Sequence, residues 1–187
     1  MKRLIIGISG ASGIIYGINL LRVLQSVEDI ETHLVMSYSA RQTLALETNY
    51  SVYEVEKLAN VIHNIDNIAA NISSGSFKTL GMIILPCSIK TLSGIVHSYS
   101  DNILTRAADV VLKEQRKLVL CVRETPLHLG HLHMMINAVQ MGAIIMPPVS
   151  AFYHHPQTIQ DLIDQTINRI IDQFDINLPK DLFNRWN

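Results

Sequence analysis

The chain has 187 residues, enough for one domain with a sizeable core. Its formal charge of -1 leaves no basic excess to hold nucleic acid or an anionic membrane surface. Hydrophobic residues make up 48% and charged ones only 17%, too little charge to cover a monomer well, so doubly buried strands or a large apolar subunit contact are expected.

Met1, Lys2 and Arg3 precede an uncharged run at residues 4–21 that has the outline of a secretory leader. Glycines and serines break the run repeatedly, so a strand, a turn and a helix suit it better than a leader or a membrane span. Short apolar runs at residues 4–8, 33–36, 82–85, 118–122 and 143–146 predict strands. Helical patterns fall between and after them, at residues 13–25, 40–47, 52–59, 89–97, 102–114, 128–141 and 158–174. This alternation predicts a three-layer, Rossmann-like (flavodoxin-like) α/β domain with a mainly parallel sheet flanked by helices. It spans residues 1–187 as a single unit. Residues 61–78, with "NISSGSF" in the middle, are the least regular and read as a mobile loop. From about residue 179, "PKDLFNRWN" reads as a tail that docks on a neighbour or frays.

The first turn, Ser9, Gly10, Ala11, Ser12 and Gly13, leads from strand to helix. Glycines there admit close approach of a ligand, the helix N-terminus suits an anion, and Ser9 and Ser12 add hydroxyls. A plain tight turn with Ser12 as helix cap is the competing reading. The glycine spacing is not G-x-G-x-x-G, and no Lys-Ser or Lys-Thr pair follows as in a nucleotide P-loop. The second strand ends in Met36, Ser37 and Tyr38, with no acidic residue to grip the ribose of NAD. A small anion or flavin mononucleotide (FMN) is the ligand this turn suits.

Further along, Ser88 and Thr91 frame a second helix start able to meet flavin or phosphate oxygens. Cys87 stands beside them without an evident base, and Cys121 lies in an apolar strand, so both read as structural in a reduced, cytoplasmic protein. Arg106 and Lys113 share roughly one face of a helix, and Arg123 ends the following strand, so Lys113 and Arg123 read either as converging on one ligand or as ordinary solvated surface cations. His131 and His133 point to different faces and His154 and His155 are adjacent, a poor arrangement for a metal. Tyr153 precedes the last helix, with Arg169 about three turns along it.

With these residues assembled, the chain resembles the flavin prenyltransferases, the UbiX/Pad-like family. The likeness runs over nearly the whole chain through "GISGASGIIYG", "ALET", "ISSGSF", "LPCSIKTLSGI", "RAADVVLKE", "VRETPL", "AFYHHP" and the closing "RW". It implies a homo-oligomer, typically a dodecamer, that joins a dimethylallyl group from dimethylallyl phosphate to N5 and C6 of reduced FMN without a metal. The product serves a UbiD-type decarboxylase. By the same resemblance, FMN contacts fall on Gly10, Ala11, Ser12, Ser37, Ser88, Ile89, Lys90, Thr91 and Arg123. Prenyl-phosphate contacts fall on Lys113, Glu124, Tyr153 and Arg169, and the catalytic positions are Ser12 and Glu47. The alternatives are a flavin-dependent decarboxylase and a non-catalytic FMN carrier. Three departures from the family pattern stand out: no tryptophan near "NIAANI", Met134 in place of an asparagine, and Val122 in place of a proline.

Overall fold

The computed structural model describes residues 1–186. Six strands form one sheet, β1 (Lys2–Ile8), β2 (Ile30–Met36), β3 (Val61–His63), β4 (Gly81–Cys87), β5 (Lys117–Val122) and β6 (Ile144–Ile145), in the order β3-β2-β1-β4-β5-β6. Every neighbouring pair is parallel, with β1 matched to β2 from Lys2↔Ile30 to Ile8↔Met36. Without the three-residue edge strand β3 the order is that of flavodoxins; with it, the order is that of the dinucleotide folds. The chain reverses direction across the sheet between β1 and β4, and their carboxyl ends flank the ligand crevice such folds use.

Seven helices surround the sheet: α1 (Ile14–Leu24), α2 (Tyr38–Glu47), α3 (Val52–Glu56), α4 (Ile89–Val96), α5 (Ile103–Lys113), α6 (Leu129–Gln140) and α7 (Ile159–Asp172). The alternation of side chains along β1 explains its unbroken apolar run. Leu4, Ile6 and Ile8 join a core with Ile14, Ile18, Leu21, Ile163, Ile167 and Ile170 of α1 and α7. Ile5 joins the opposite core, with Leu92, Ile95, Leu104, Ala107 and Val111 of α4 and α5. The three layers and the doubly buried strands follow from this division.

Residues 61–78 are not a free loop. They contain β3, which pairs with β2 from His33↔Val61 to Val35↔His63, and a single 3-10 turn at Asn71–Ser73. The Arg116 guanidinium donates to the carbonyl of Phe77 at 2.8 Å and of Gly75 at 2.6 Å, fastening the end of the segment. Arg3 lies over the Phe77 ring at 4.5 Å. The sequence pattern misses these anchors because three residues are too few to show a period.

The tail also differs from expectation, docking on α7 of its own chain. The Leu182 amide donates to Asn168 Oδ1 at 2.8 Å, and Arg185 bridges Asp172 and Asp181 at 2.9 and 2.6 Å. On α6, by contrast, only Ala138 is buried. Leu129, Leu132, Ile136 and Val139 are all exposed at helical spacing, a stripe that one chain does not cover.

Candidate active site

The first turn is built around a residue whose role differs from the expected one. Ser9 is fully buried, and its hydroxyl faces β4 and not a ligand. Oγ donates to the Pro86 carbonyl at 2.9 Å and accepts from the Ser88 amide at 2.7 Å, joining the turn after β1 to the turn after β4. Gly10 then passes so close to α2 that a Cβ there would sit 2.9 Å from the Ser39 backbone carbon. Gly13, at φ 98, is the N-cap of α1, a left-handed conformation that favours glycine. Ser12 therefore does not cap the helix.

Glu47 closes α1 instead. It reaches from the end of α2, and its carboxylate accepts from the Gly13 amide at 2.9 Å and the Ile14 amide at 3.1 Å. The helix N-terminus expected to hold a ligand anion is thus occupied by a carboxylate of the protein. Burial opposes the charge on Glu47, but the Ser12 hydroxyl, the two amides and the Arg123 guanidinium outweigh it, and its carboxyl lies below the usual range. Ser12, Glu47 and Arg123 are brought together as a charged group on one rim.

Two other helix starts open on the crevice. Ser37 caps α2 by accepting from the Ala40 amide at 3.1 Å, and its hydroxyl lies 3.0 Å from that of Ser39. Ser88 caps α4 by accepting from the Thr91 amide at 3.3 Å, and donates to the Thr91 hydroxyl at 3.1 Å. Together Ser37, Ser39, Ser88, Lys90 and Thr91 line one side of a cleft of about 450 Å³. Ser39 is absent from the sequence reading, and only its place two residues after a strand-end serine could have marked it. Cys87 is completely buried beside this cleft, and burial pushes its thiol up to about 12, which suits a packing residue and not a nucleophile.

The residues expected to meet a prenyl phosphate lie elsewhere. Glu124 stays on the exposed rim, where its carboxylate accepts from the Thr125 amide at 3.0 Å. Lys113 ends α5 and pairs with Glu114, near where β5 begins, whereas Arg123 follows the end of β5. A six-residue strand separates them by about 20 Å, so Lys113 and Arg123 do not meet one ligand within a chain. The reason is the polarity of the fold: a crossover helix returns the chain to the edge where the next strand starts. Tyr153 and Arg169 do come together, lining a cleft of about 460 Å³ with Gln165, Phe183, Arg185 and Trp186. Neither Lys113 nor Glu124 lines that cleft, so the four prenyl-phosphate contacts implied by the resemblance do not all gather there in one chain. Gln165 lines that cleft too, and the sequence gives no sign of it, since nothing distinguishes it from any other helical glutamine. Among the described residues, no three His, Cys, Asp or Glu side chains gather as a metal ion would require, and no helix is long and apolar enough to cross a membrane.

A parallel sheet with a hydroxyl-lined crevice at its reversal point is the ligand-binding architecture of the doubly wound α/β class, and the Flavoprotein family model matches residues 1–171. The flavin prenyltransferase UbiX of Escherichia coli (strain K12) is 72% identical over 186 residues, covering 100% of this chain and 98% of that one. A crystal structure of AnUbiX (PadA1) in complex with FMN and dimethylallyl pyrophosphate superposes with a TM-score of 0.94 at 46% identity, over 100% of this chain and 97% of that one. A dodecameric FMN-dependent Ubix-like decarboxylase from Escherichia coli O157:H7 gives a TM-score of 0.95 at 48% identity, over 100% and 99% of the two chains. The chain belongs to the UbiX flavin prenyltransferase family of flavoproteins.

Proposed function

We propose that this protein joins the dimethylallyl group of dimethylallyl phosphate to N5 and C6 of reduced FMN, in the cytoplasm, and that the prenylated flavin is consumed by a UbiD-type decarboxylase. The observation that carries the reading is the presence of two different donor sets. One is the hydroxyl-rich cleft at the sheet reversal; the other is the Tyr153 and Arg169 cleft with aromatic walls. A decarboxylase or a flavin carrier has a use for the first alone.

The residues of the first cleft suit FMN. The amides at the starts of α2 and α4, with the hydroxyls of Ser37, Ser88 and Thr91, match a phosphate and a ribityl chain. The Gly10 and Ala11 backbone, Ser12, Ile89, Lys90 and Arg123 complete the contacts assigned to the flavin. Reduced FMN supplies the electron-rich N5 and C6 atoms that take the allyl carbon. The protein must then bind the departing phosphate and steady positive charge on the allyl group. Arg169 and Tyr153 supply donors for phosphate, and Lys113 and Glu124 are assigned to the same ligand.

Because Lys113 stands at the opposite edge of the sheet from the flavin cleft, a complete site requires more than one chain. The exposed apolar stripe of α6 supports a homo-oligomer, and one of the solved relatives is dodecameric. Glu47, held ionised by its amide and hydroxyl donors, is better suited to stabilising positive charge than to accepting a proton. Ser12 holds that carboxylate in place.

The test is to incubate the protein anaerobically with reduced FMN and dimethylallyl phosphate and to weigh the flavin. Gain of a five-carbon unit is the expected result. A flavin of unchanged mass would leave the carrier or decarboxylase reading standing.

A further inference from the structure

Tyr153 follows β6 on a stretch without helix or strand, and a phenol there has no regular element of its own to aim it. Its hydroxyl is met by one polar group of α7: Gln165 Nε2 donates to the Tyr153 oxygen at 3.1 Å. Gln165 is only 6% exposed, yet it lines the same cleft as Tyr153 and Arg169. It stands four residues before Arg169, one turn away along the same side of the helix. Burying a carboxamide costs free energy that an apolar side chain would avoid, unless the amide is used.

We infer that Gln165 is a positioning residue for the prenyl-phosphate site, acting through Tyr153. A phenol has one proton to give and lone pairs to receive. With the Gln165 N–H occupying a lone pair from the α7 side, the Tyr153 O–H is left free for an acceptor in the cleft. A phosphate oxygen in the cleft then accepts hydrogen bonds from the phenol O–H and the Arg169 guanidinium. Tyr153 also packs edge-on against Phe183 and Trp186, with ring centroids at 6.5 and 5.6 Å, so ring and hydroxyl are held by different groups. Gln165 does not touch the phosphate; it sets which way Tyr153 donates.

This inference rests on the prenyl-transfer reading, and a mutant cycle separates the two. The variants are Q165L, Q165M, Y153F and the Y153F/Q165L pair, each assayed for KM and kcat with dimethylallyl phosphate, for FMN affinity, and for thermal midpoint. Loss of an oriented hydroxyl donor to a charged acceptor should raise KM for dimethylallyl phosphate roughly tenfold in Q165L, Q165M and Y153F, with FMN affinity unchanged. Adding Q165L to Y153F should change KM by less than about twofold, because the route through the phenol is already gone. A Q165L effect of equal size in the wild-type and Y153F backgrounds, or no rise in KM in either Q165L or Q165M, overturns the assignment while prenyl transfer stands. A wild-type protein that forms no prenylated flavin overturns both.

Discussion

The cleft at the sheet reversal and the cleft along α7 are made by different means. The first is set by backbone: a buried serine joining two turns, glycines that admit close packing, and helix starts capped by their own serines. The second is set by side chains: buried Gln165 and half-exposed Arg169 of α7, a loop tyrosine and a tail held by ion pairs. Asp172 serves two arginines there, accepting from Arg169 at 3.1 Å and from Arg185 at 2.9 Å. A group fixed by backbone loses little entropy when its ligand arrives, whereas long exposed side chains lose more. The first region is therefore ready-made for a ligand, and the second has more side-chain freedom left to lose.

The sharpest way to break this contrast is Gly10→Ala. The new methyl would meet the Ser39 backbone, which cannot rotate away, and overpacking of about 3 kcal/mol should weaken FMN binding roughly a hundredfold in a fluorescence titration. Unchanged affinity would mean that the cradle yields and is not backbone-set. Next, Arg169→Ala should leave FMN binding intact and lower kcat/KM for dimethylallyl phosphate about tenfold, the worth of a half-exposed charge-assisted bond. Loss of FMN in that variant would show the two regions to be one.

Glu47→Gln tests the cradle by a smaller effect. The Glu47 carboxyl is held below its usual value in the fold, so its stabilisation is present above the unfolded pKa near 4.5 and is lost as pH falls through the folded value. Urea unfolding at neutral pH should show a loss of about 1 kcal/mol, and that loss should shrink in acid, where both carboxyl and amide are neutral. A penalty independent of pH would remove charge from the account. Least of all, Cys87→Ala should change turnover by less than about twofold, the thiol being buried and protonated. Abolished turnover with normal FMN binding would restore it as a nucleophile.

The contrast also explains what the sequence made legible. The five apolar runs, the seven helical patterns and the serine opening α4 are local signals, and each is recovered within a few residues, whereas Ser37, read as a strand end, proves to open α2. Ser9 lay in plain view, but the partners that turn its hydroxyl inward are 77 and 79 residues away. Glu47 meets the Gly13 amide across 34 residues, so no local pattern reveals that it occupies the helix start. Lys113 and Arg123 are close in sequence yet separated by the length of β5, which short spacing conceals. Gln165 carries no motif, and its partner alone distinguishes it.

The long reach of Ser9 has a consequence for the order in which the molecule is made. On the ribosome the glycine turn is synthesised early and can form with β1 and α1, but its hydroxyl has no partners until Pro86 and Ser88 emerge. Joining β1 to β4 closes a long loop, a slow event compared with growth of a helix. Flavin capture is therefore expected late in folding. In refolding from denaturant, helical circular dichroism should return first and quenching of flavin fluorescence afterwards, so that the flavin signal times the closing of the sheet.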